Sequence, residues 1–330
     1  MTADFDRSGE FEVIKNIFSP LSMSAPGAFG LTDDAAVMSV EAGFELVITK
    51  DAMVAGVHFL EDDKPENIAR KLLRTNLSDI AAMGAKPLSY LLATAWTDDC
   101  NQDWIARFAN GLVLDQKKYG VSLLGGDTVK TPGPLTLSLT LIGKVPSGQS
   151  LRRNAAKVGD LLCVSGTIGD AALGLMVARQ ELKSISEINA KFLLNRYLLP
   201  DPRVSLGPAL VGLANGCLDI SDGLLADIGH IVAQSKTGAI IHRSEIPLSK
   251  AAFAAVDMRP ELWEQILGGG DDYELAFTLP RKNLTETLKK AESLGVKVTV
   301  IGEITHEPEM KILDDDGIEL QVNSTGWAHF

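Results

Sequence analysis

The sequence predicts a two-domain protein that combines α/β and α+β architecture. Its 330 residues are enough for two domains and a sizeable core. Strand-like and helix-like segments alternate in both halves of the chain, which is typical of mixed architectures. The segment Pro146-Ser147-Gly148 has the composition of a linker. We therefore expect one domain over residues 1–148 and a second over residues 149–330.

Hydrophobic periodicity places the elements of the first half. A strand over residues 44–49 leads to Asp51. A helix begins near Pro65, because proline is favoured at the first helical position. The other predicted elements are a short amphipathic helix over 11–17, a strand over 88–95, a helix over 104–119, a strand over 121–124 and an alternating, half-buried strand over 135–141.

The second half shows the same alternation of elements. Residues 313–318 contain three successive aspartates but lack the alternating ligands of a calcium loop, so a hairpin turn is expected there. The predicted strands cover residues 161–165, 218–221, 240–241, 275–279 and 296–301, and the predicted helices cover 166–179, 222–234 and 284–294.

Bulk properties limit the possible partners and the compartment. The formal net charge of −12 argues against nucleic acid or an anionic membrane as a partner. Cys163 and Cys217 lie in apolar runs, and neither they nor Cys100 form a CxxC pair, so we expect reduced core cysteines. The N-terminus lacks the pattern of a signal peptide, and no apolar run approaches the roughly 20 residues of a membrane-spanning helix. A cytoplasmic protein is expected.

Short acidic segments recur along the whole chain and are the main functional signal. Each combines carboxylates with glycine or small hydroxyl residues, and strand-like sequence leads into most of them. Because carboxylates repel one another, several at one place require cations between them. We expect these cations to be Mg²⁺ that binds a phosphate-rich ligand. The segments contain Asp33 and Asp34, Asp51, Asp79, Asp127, Asp219 and Asp222, and Asp271 and Asp272.

Residues 218–224 form the strongest of these segments. A strand leads into Asp219, Ser221 and Asp222, and Gly223 permits a tight turn into a helix. Strand alternation would place Asp219 and Ser221 on one face, beside a helix N-terminus suited to a metal and a phosphate oxygen. The alternative is a simple helix cap at Ser221 or Asp222, although a cap does not require Asp219.

Two glycine-rich segments precede further carboxylates. Three successive glycines over residues 268–270 are entropically costly, so we expect the backbone there to approach a ligand, with a flexible loop as the alternative. Gly125 and Gly126 also permit close backbone approach before Asp127, although a hairpin or loop turn would explain them as well.

Several familiar phosphoryl-transfer and zinc motifs are absent from the sequence. It contains no G-x-x-x-x-G-K-[ST] loop, no protein-kinase lysine and catalytic-loop set, and no H-E-x-x-H. If the protein transfers phosphoryl groups, it does so with metal ions on carboxylates instead of a lysine-containing phosphate loop.

The order of the acidic segments resembles that of one family, the thiamine-monophosphate kinases. No single segment is sufficient, but together they follow the family's order over nearly the whole chain. This family belongs to the superfamily of aminoimidazole ribonucleotide synthetase and selenophosphate synthetase. The matching segments are residues 32–36, 51–59, 76–85, 125–128, 219–223 and 270–274.

The resemblance implies a PurM-like fold and an activity. An N-terminal α+β domain would pair with its twin in a homodimer, and a C-terminal α/β domain would follow. The implied reaction is the ATP-dependent phosphorylation of thiamine monophosphate to thiamine diphosphate, the last step of thiamine diphosphate biosynthesis. ATP would lie between the domains, bound through several Mg²⁺ ions. We expect direct in-line transfer without a phosphorylated residue, because the acceptor phosphate is already deprotonated near neutral pH and needs no strong base.

The resemblance also implies roles for individual positions. His58, Asp271 and Trp327 match positions that contact thiamine phosphate, and Trp327 could instead be a C-terminal packing anchor. Gly126, Asp127, Arg153 and Ser221 match nucleotide contacts. The positions around the metals are Asp34, Thr49, Lys50, Asp51, Asp79, Asp127, Asp219 and Asp222.

Two positions depart from the family pattern. A small hydroxyl residue is common between the positions of Thr49 and Asp51, where this chain has Lys50. Strand alternation would point Lys50 away from its two neighbours. Leu31 and Thr32 precede the paired aspartates, where glycine is more usual, so that turn should differ.

Two other functional classes remain open from the sequence. The first is another ATP-dependent enzyme of the same superfamily, although this chain has no cysteine before Cys100, whereas selenophosphate synthetases typically carry an N-terminal Cys or selenocysteine. The second is a nucleotide-binding regulatory protein without turnover, which would not need so many metal-binding carboxylates.

Overall fold

The computed structural model describes residues 10–320 and Gly326. The described residues form two compact units, one made of the chain up to Ile80 together with Pro87–Lys144, and the other made of Ala81–Lys86 and the chain from Val145 onward. Each unit contains a sheet with packed helices, so the predicted mixed class is confirmed. The division at residue 148 stays a prediction.

The first unit contains a four-stranded sheet in the order β1-β4-β2-β3. Strands β2 and β3 are parallel, and β3 continues through Gly125–Thr128, where a loop turn was one alternative. The strands are β1 (Phe44–Val54), β2 (Lys86–Trp96), β3 (Ser122–Lys130) and β4 (Thr136–Pro146). The helices are α1 (Glu10–Val13), a π-helix (Ile14–Phe18), 3₁₀-helices (Ser19–Ser22 and Pro26–Leu31), α2 (Pro65–Ala82) and α3 (Gln102–Tyr119).

Local caps fix the ends of α3, and a buried ion pair joins it to α2. The Asn101 side chain accepts the N–H of Trp104 at the start of α3, and Gly120 ends the helix in a left-handed conformation with φ 68°. Arg74 of α2 makes two hydrogen bonds to the buried Asp115 of α3, of 2.6 and 2.9 Å. This charge-assisted pair joins the two helices.

One face of the four-stranded sheet packs on the helices. Trp96 of β2 packs edge-on against Trp104 and Phe108 of α3, and its indole N–H donates to Thr128 of β3. Side chains alternate along strands, so Leu91 and Val129 belong to the opposite face, and both are exposed.

The second unit contains a six-stranded sheet in the order β10-β7-β9-β5-β8-β6. Strands β7, β9, β5, β8 and β6 pair antiparallel in that order, and β10 pairs parallel with β7. The strands are β5 (Leu161–Ser165), β6 (Cys217–Asp219), β7 (Gly238–His242), β8 (Leu275–Leu279), β9 (Val298–Thr305) and β10 (Met310–Leu313). The helices are α4 (Asp170–Ala178), α5 (Glu187–Leu198), α6 (Leu206–Leu210), α7 (Leu224–Ser235), α8 (Lys250–Met258), α9 (Trp263–Gly268) and α10 (Leu284–Ser293), with 3₁₀-helices at Arg153–Ala155, Arg243–Glu245, Pro260–Leu262 and Arg281–Asn283.

Both faces of this second sheet are covered. Leu162 and Val164 of β5 belong to one apolar cluster, which includes residues of α4, α5, α7, α8 and α9. Leu161 and Cys163 belong to another, which includes residues of α6 and α10. The central strands of this sheet are therefore buried on both sides, which explains their continuous apolar sequence.

Several predicted boundaries and turns can be compared with the structure. The helix predicted from residue 166 begins at Asp170, because Gly166 and Gly169 have left-handed φ values of 61° and 81°. The hairpin turn near residue 314 is confirmed, since the Asp314 carboxylate accepts the N–H groups of Asp316 and Ile318. Cys163 and Cys217 are buried and unpaired, as expected, and Cys100 is buried and unpaired as well. Within the described part of the chain, no helix is both long enough and apolar enough to cross a membrane.

Candidate active site

The first acidic group lies between β1 and α2. The hydroxyl of Thr49 donates to the Asp79 carboxylate at 2.5 Å. Asp51 accepts a hydrogen bond from Thr75, one turn before Asp79 on α2, and burial raises the pKa of Asp51 despite that bond. The structure therefore brings together three predicted metal-site residues, and it adds Thr75, which the sequence analysis missed. We refer to Thr49, Asp51, Thr75 and Asp79 as the β1–α2 group.

Lys50 lies outside the β1–α2 group. Its side chain is exposed, whereas Thr49 and Asp51 are half-buried and turned toward α2. Strand alternation explains this arrangement, as expected. Its place among the metal-binding positions stays a prediction.

Asp127 lies away from the β1–α2 group, and no hydrogen bond joins Asp34 to it in the described part of the chain. Asp34 is exposed in the loop that follows the 3₁₀-helix Pro26–Leu31. Asp127 lies on β3, and β1 and β3 are the two edge strands of their sheet, three strand spacings or about 14 Å apart. Gly126 is required by the pairing with β2, because a Cβ there would lie 1.9 Å from the carbonyl oxygen of Leu92.

His58 is held in one tautomer by the backbone. Its Nδ1 accepts the N–H of Val54 at 3.1 Å, so the ring hydrogen of the neutral imidazole lies on Nε2. The Lys71 ammonium donates to the carbonyl oxygen of His58 at 3.2 Å and fixes the same turn. The ring can therefore donate a hydrogen bond through Nε2.

The second acidic group lies in the other unit, where β6 leads into α7. The strand ends at the buried Asp219, so the argument that strand alternation places Ser221 beside Asp219 was wrong. Residues 220–223 form a turn, which we call the β6–α7 loop. One oxygen of Asp227 accepts the backbone N–H groups of Ser221, Asp222 and Gly223 at 3.0, 3.0 and 3.1 Å. These three N–H groups therefore bind a carboxylate of the chain itself instead of the expected phosphate oxygen.

Asp227 is buried beside a second carboxylate. Burial, and then the neighbouring Asp222 carboxylate, raise the pKa of Asp227 to about 7, although the three N–H donors oppose this shift. Potential ligand atoms of Asp222, Asp227 and the exposed His230 lie within 4.8 Å of one another. The sequence analysis missed Asp227, because its position inside α7 reads only as part of a helix.

The glycine-rich segment before Asp271 packs on the β6–α7 loop. The N–H of Asp271 donates to the carbonyl of Ser221 at 2.9 Å, and the N–H of Tyr273 donates to that of Ile220 at 2.8 Å. A Cβ on Gly270 would lie 2.2 Å from the carbonyl oxygen of Ser221. This glycine is thus explained by close contact between two loops. The expected approach of this backbone to a ligand stays a prediction.

The residues after these glycines hold one another in place. Asp271 and Tyr273 have left-handed φ values of 73° and 51°, and the Tyr273 hydroxyl donates to Asp271 at 3.1 Å. Between them, the buried Asp272 accepts the N–H groups of Gly169 and Ala171 at the start of α4. Burial raises the pKa of Asp272 to about 8. The orientation of the Asp271 carboxylate therefore depends on a strained backbone that the hydrogen bonds of Asp272 and Tyr273 hold in place.

Glu274 anchors this segment in the unit. Its buried carboxylate accepts hydrogen bonds from Ser165 at 2.6 Å, Arg196 at 2.9 Å and Arg203. The sequence analysis missed both arginines, which lie 78 and 71 positions away along the chain. Two guanidinium groups on one carboxylate compensate its burial.

Arg153 and Trp327 complete the predicted set. Arg153 is exposed, and its carbonyl accepts the hydroxyl of Ser235 at the C-terminal end of α7. The β6–α7 loop lies at the other end of this 12-residue helix, about 18 Å away. Trp327 lies outside the described residues. Gly326, just before it, lies against Ala226 and the carbonyl of Asp222.

Known families match both halves of the chain. Residues 32–145 match the family described as AIR synthase related protein, N-terminal domain, and residues 157–315 match its C-terminal domain. A thiamine-monophosphate kinase of Caulobacter vibrioides is 42% identical over 97% of this chain and 90% of its own length. The chain belongs to the thiamine-monophosphate kinase family. The kinase of this family from Escherichia coli K12 is 39% identical over 98% of each chain.

Solved structures support that this chain is a member of the kinase family and has the PurM-like fold. The crystal structure of thiamine-monophosphate kinase from Stenotrophomonas maltophilia has a TM-score of 0.84 at 38% identity, and covers 94% of this chain and 98% of its own. The structure described as AaThiL complexed with AMPPCP and TMP has a TM-score of 0.78 at 29% identity, and covers 98% and 97%. The hydrogenase maturation protein HypE in complex with ATP, at 16% identity and a TM-score of 0.79, is similar in fold alone.

The side chains of both acidic groups fit Mg²⁺. The β1–α2 group offers carboxylate and hydroxyl oxygens, which are the hard ligands that Mg²⁺ prefers. The burial that raises the pKa of Asp51 is a cost that a nearby cation would offset. Three residues before Asp79, the buried Oδ1 of Asn76 has no hydrogen-bond partner, so α2 carries a further unsatisfied oxygen.

We expect Gly270→Ala to separate the two loops and destabilise the second unit. The added methyl would overlap the Ser221 carbonyl, so the free energy of unfolding should fall by about 1–3 kcal/mol. Gly229→Ala is the matched control, because a Cβ at Gly229 in α7 meets open space. It should raise the free energy of unfolding by up to about 1 kcal/mol. Urea unfolding measures both, and wild-type stability of Gly270→Ala would contradict this reading of the loop.

Proposed function

We propose that the protein transfers the γ-phosphoryl group of ATP to thiamine monophosphate and forms thiamine diphosphate, the last step of its biosynthesis. The similarity to thiamine-monophosphate kinases, 42% and 39% identity over nearly the whole chain, carries this proposal. The two acidic groups support it, because their oxygen ligands suit the metal complex of a nucleoside triphosphate. A cytoplasmic location stays a prediction.

The proposed metal-binding residues include those of the β1–α2 group and the β6–α7 loop. Bound Mg²⁺ would offset the repulsion between the two phosphate groups and stabilise the charge of the transferring one. In the first unit, Asp51 is bonded by Thr75 of α2, and Asp79 by Thr49 of β1. In the second unit, the backbone of Asp222 is held by Asp227. The full proposed set is Asp34, Thr49, Asp51, Asp79, Asp127, Asp219 and Asp222, with Lys50 at the position where a hydroxyl is common.

Other residues would bind and orient the two substrates. Gly126, Asp127, Arg153 and Ser221 are the proposed nucleotide contacts, and the Arg153 guanidinium suits phosphate oxygens. His58 can donate through Nε2, since the N–H of Val54 occupies its Nδ1. The Tyr273 hydroxyl donates to the Asp271 carboxylate and so fixes its orientation. Trp327 would stack on the thiazolium ring by a cation–π contact.

We propose direct in-line transfer without a covalent phosphoenzyme. The acceptor phosphate has a second pKa of about 6, so it is already a nucleophile near neutral pH. The chain then has to hold donor and acceptor in line, and it needs no general base. Its contribution is orientation and charge compensation.

We also propose a homodimer that forms through the open face of the four-stranded sheet. Thr49 faces α2, so Ile48 faces the opposite side of β1, where 62% of its side chain is exposed. Leu46, Leu91 and Val129 add further exposed apolar surface to the sheet. Such a surface is typical of a protein interface.

An assay of thiamine monophosphate, ATP and Mg²⁺ tests the proposed function. Wild-type protein should form thiamine diphosphate, and Asp222→Ala should reduce kcat/KM by about 100-fold or more, because it removes a proposed ligand of the Mg²⁺ that would compensate the charge of the transferring group. Asp257→Ala, an exposed aspartate on α8, is the control and should retain full activity. Formation of no thiamine diphosphate by the wild type would refute the proposal, and full activity of Asp222→Ala would remove Asp222 from the site.

For the dimer, we expect Ile48→Glu to weaken self-association by about 100-fold or more, because it buries an unpaired charge in the interface. Ile188→Glu is the matched control, since Ile188 is 82% exposed on α5 of the other unit. Sedimentation velocity over a concentration series measures both variants. A wild-type monomer, or an Ile48→Glu dimer of unchanged affinity, would contradict the proposed interface.

A further inference from the structure

We propose that Asp227 is a positioning residue that holds the β6–α7 loop for Mg²⁺ binding by Asp222. This inference rests on the proposed function and deepens it. Asp227 does not need to touch a substrate. Its carboxylate fixes the backbone of Ser221, Asp222 and Gly223, and its negative charge strengthens the attraction of the loop for a cation.

The hydrogen-bond geometry supports this role. Three successive backbone N–H groups converge on one oxygen of Asp227 at 3.0–3.1 Å. Successive N–H groups of this kind form a concave anion-binding site, commonly used for phosphate. In this chain a buried internal carboxylate occupies that site, since Asp227 is 2% exposed. The N–H groups of the loop therefore face the buried Asp227, and the half-buried Asp222 side chain is the one carboxylate that the loop offers to a cation.

Asp227 does not act as an N-cap side chain of α7. The three N–H groups that it accepts belong to residues 221–223, which precede the helix, and the N-cap residue is Gly223. Asp227 instead brings a second carboxylate to within 4.8 Å of Asp222. Two neighbouring carboxylates repel each other, and a cation beside them relieves this repulsion. The pair is thus suited to a cation.

The loop has little freedom to compensate for a lost contact. Gly223 has a φ of 129°, and a Cβ there would lie 2.7 Å from the carbonyl oxygen of Gly268. On the other side, the carbonyls of Ile220 and Ser221 accept hydrogen bonds from Tyr273 and Asp271. The three bonds to Asp227 set the remaining orientation of the Asp222 backbone.

The test variant is Asp227→Asn, which keeps an acceptor oxygen and removes the charge. Mn²⁺ binding is measured by electron paramagnetic resonance of the free ion, in the presence of AMPPCP and without thiamine monophosphate. We expect the Mn²⁺ dissociation constant to rise about tenfold or more, and the Mg²⁺ concentration for half-maximal activity to rise in parallel. Excess Mg²⁺ should restore part of kcat. If the Asn variant does not fold, Asp227→Ser, whose hydroxyl can also accept an N–H, takes its place.

Asp160→Asn is the matched control. Asp160 is a buried aspartate of the same unit that holds another loop, accepting the N–H of Lys157 at 3.0 Å and the Asn215 amide at 2.8 Å. Its replacement should lower the thermal unfolding temperature and leave Mn²⁺ binding unchanged. Wild-type Mn²⁺ affinity in Asp227→Asn, or an equal loss of affinity in Asp160→Asn, would overturn the inference. If the wild type binds Mn²⁺ with AMPPCP but forms no thiamine diphosphate, the proposed function fails on its own.

Discussion

Mutual repulsion among carboxylates is the constraint on which the rest of this structure depends. The chain has a formal net charge of −12. It still places Asp51 of β1 against Thr75, one turn before Asp79 on α2, and it brings the Asp222 and Asp227 carboxylates to within 4.8 Å of each other. Burial makes each of these arrangements more costly, as the raised pKa values of Asp51 and Asp227 indicate. A rigid backbone keeps such groups together, and protonation or a bound cation would relieve their repulsion.

The two units achieve this rigidity in different ways. In the first unit, Asp79 and Thr75 project from a helix that a buried Arg74–Asp115 pair joins to its neighbour, so packing of regular elements sets their positions. In the second unit, two irregular loops hold each other through backbone hydrogen bonds, and Gly270 allows them to touch. Asp227, Asp272 and Glu274 then each connect a loop to the surrounding unit.

Much of this arrangement could be predicted from local sequence. Periodicity predicts α2, α3, β4 and β5 closely, because each buries a continuous apolar stripe or face. The order of the acidic segments predicts the family, and the segments indicate which residues to test for a role in the site. Strand alternation also predicts that Lys50 is exposed. These features depend on contacts that are near in sequence or on patterns with a fixed period.

The remaining features depend on contacts between distant segments. Gly270 is a glycine because of Ser221, and Glu274 can be buried because Arg196 and Arg203 reach it from another part of the chain. The role of Asp227 depends on a turn whose N–H groups all point inward, and the turn itself forms only because β6 ends at Asp219. No single-sequence pattern contains this information.

We propose that these carboxylates bind a nucleotide only together with divalent cations. Calorimetric titration of AMPPCP into the metal-stripped protein, with and without added Mg²⁺, tests this directly. We expect clear binding with Mg²⁺ and an affinity at least about 100-fold weaker without it, since uncompensated aspartates repel the phosphates. Binding of equal affinity in the absence of any divalent cation would refute a metal-dependent nucleotide site.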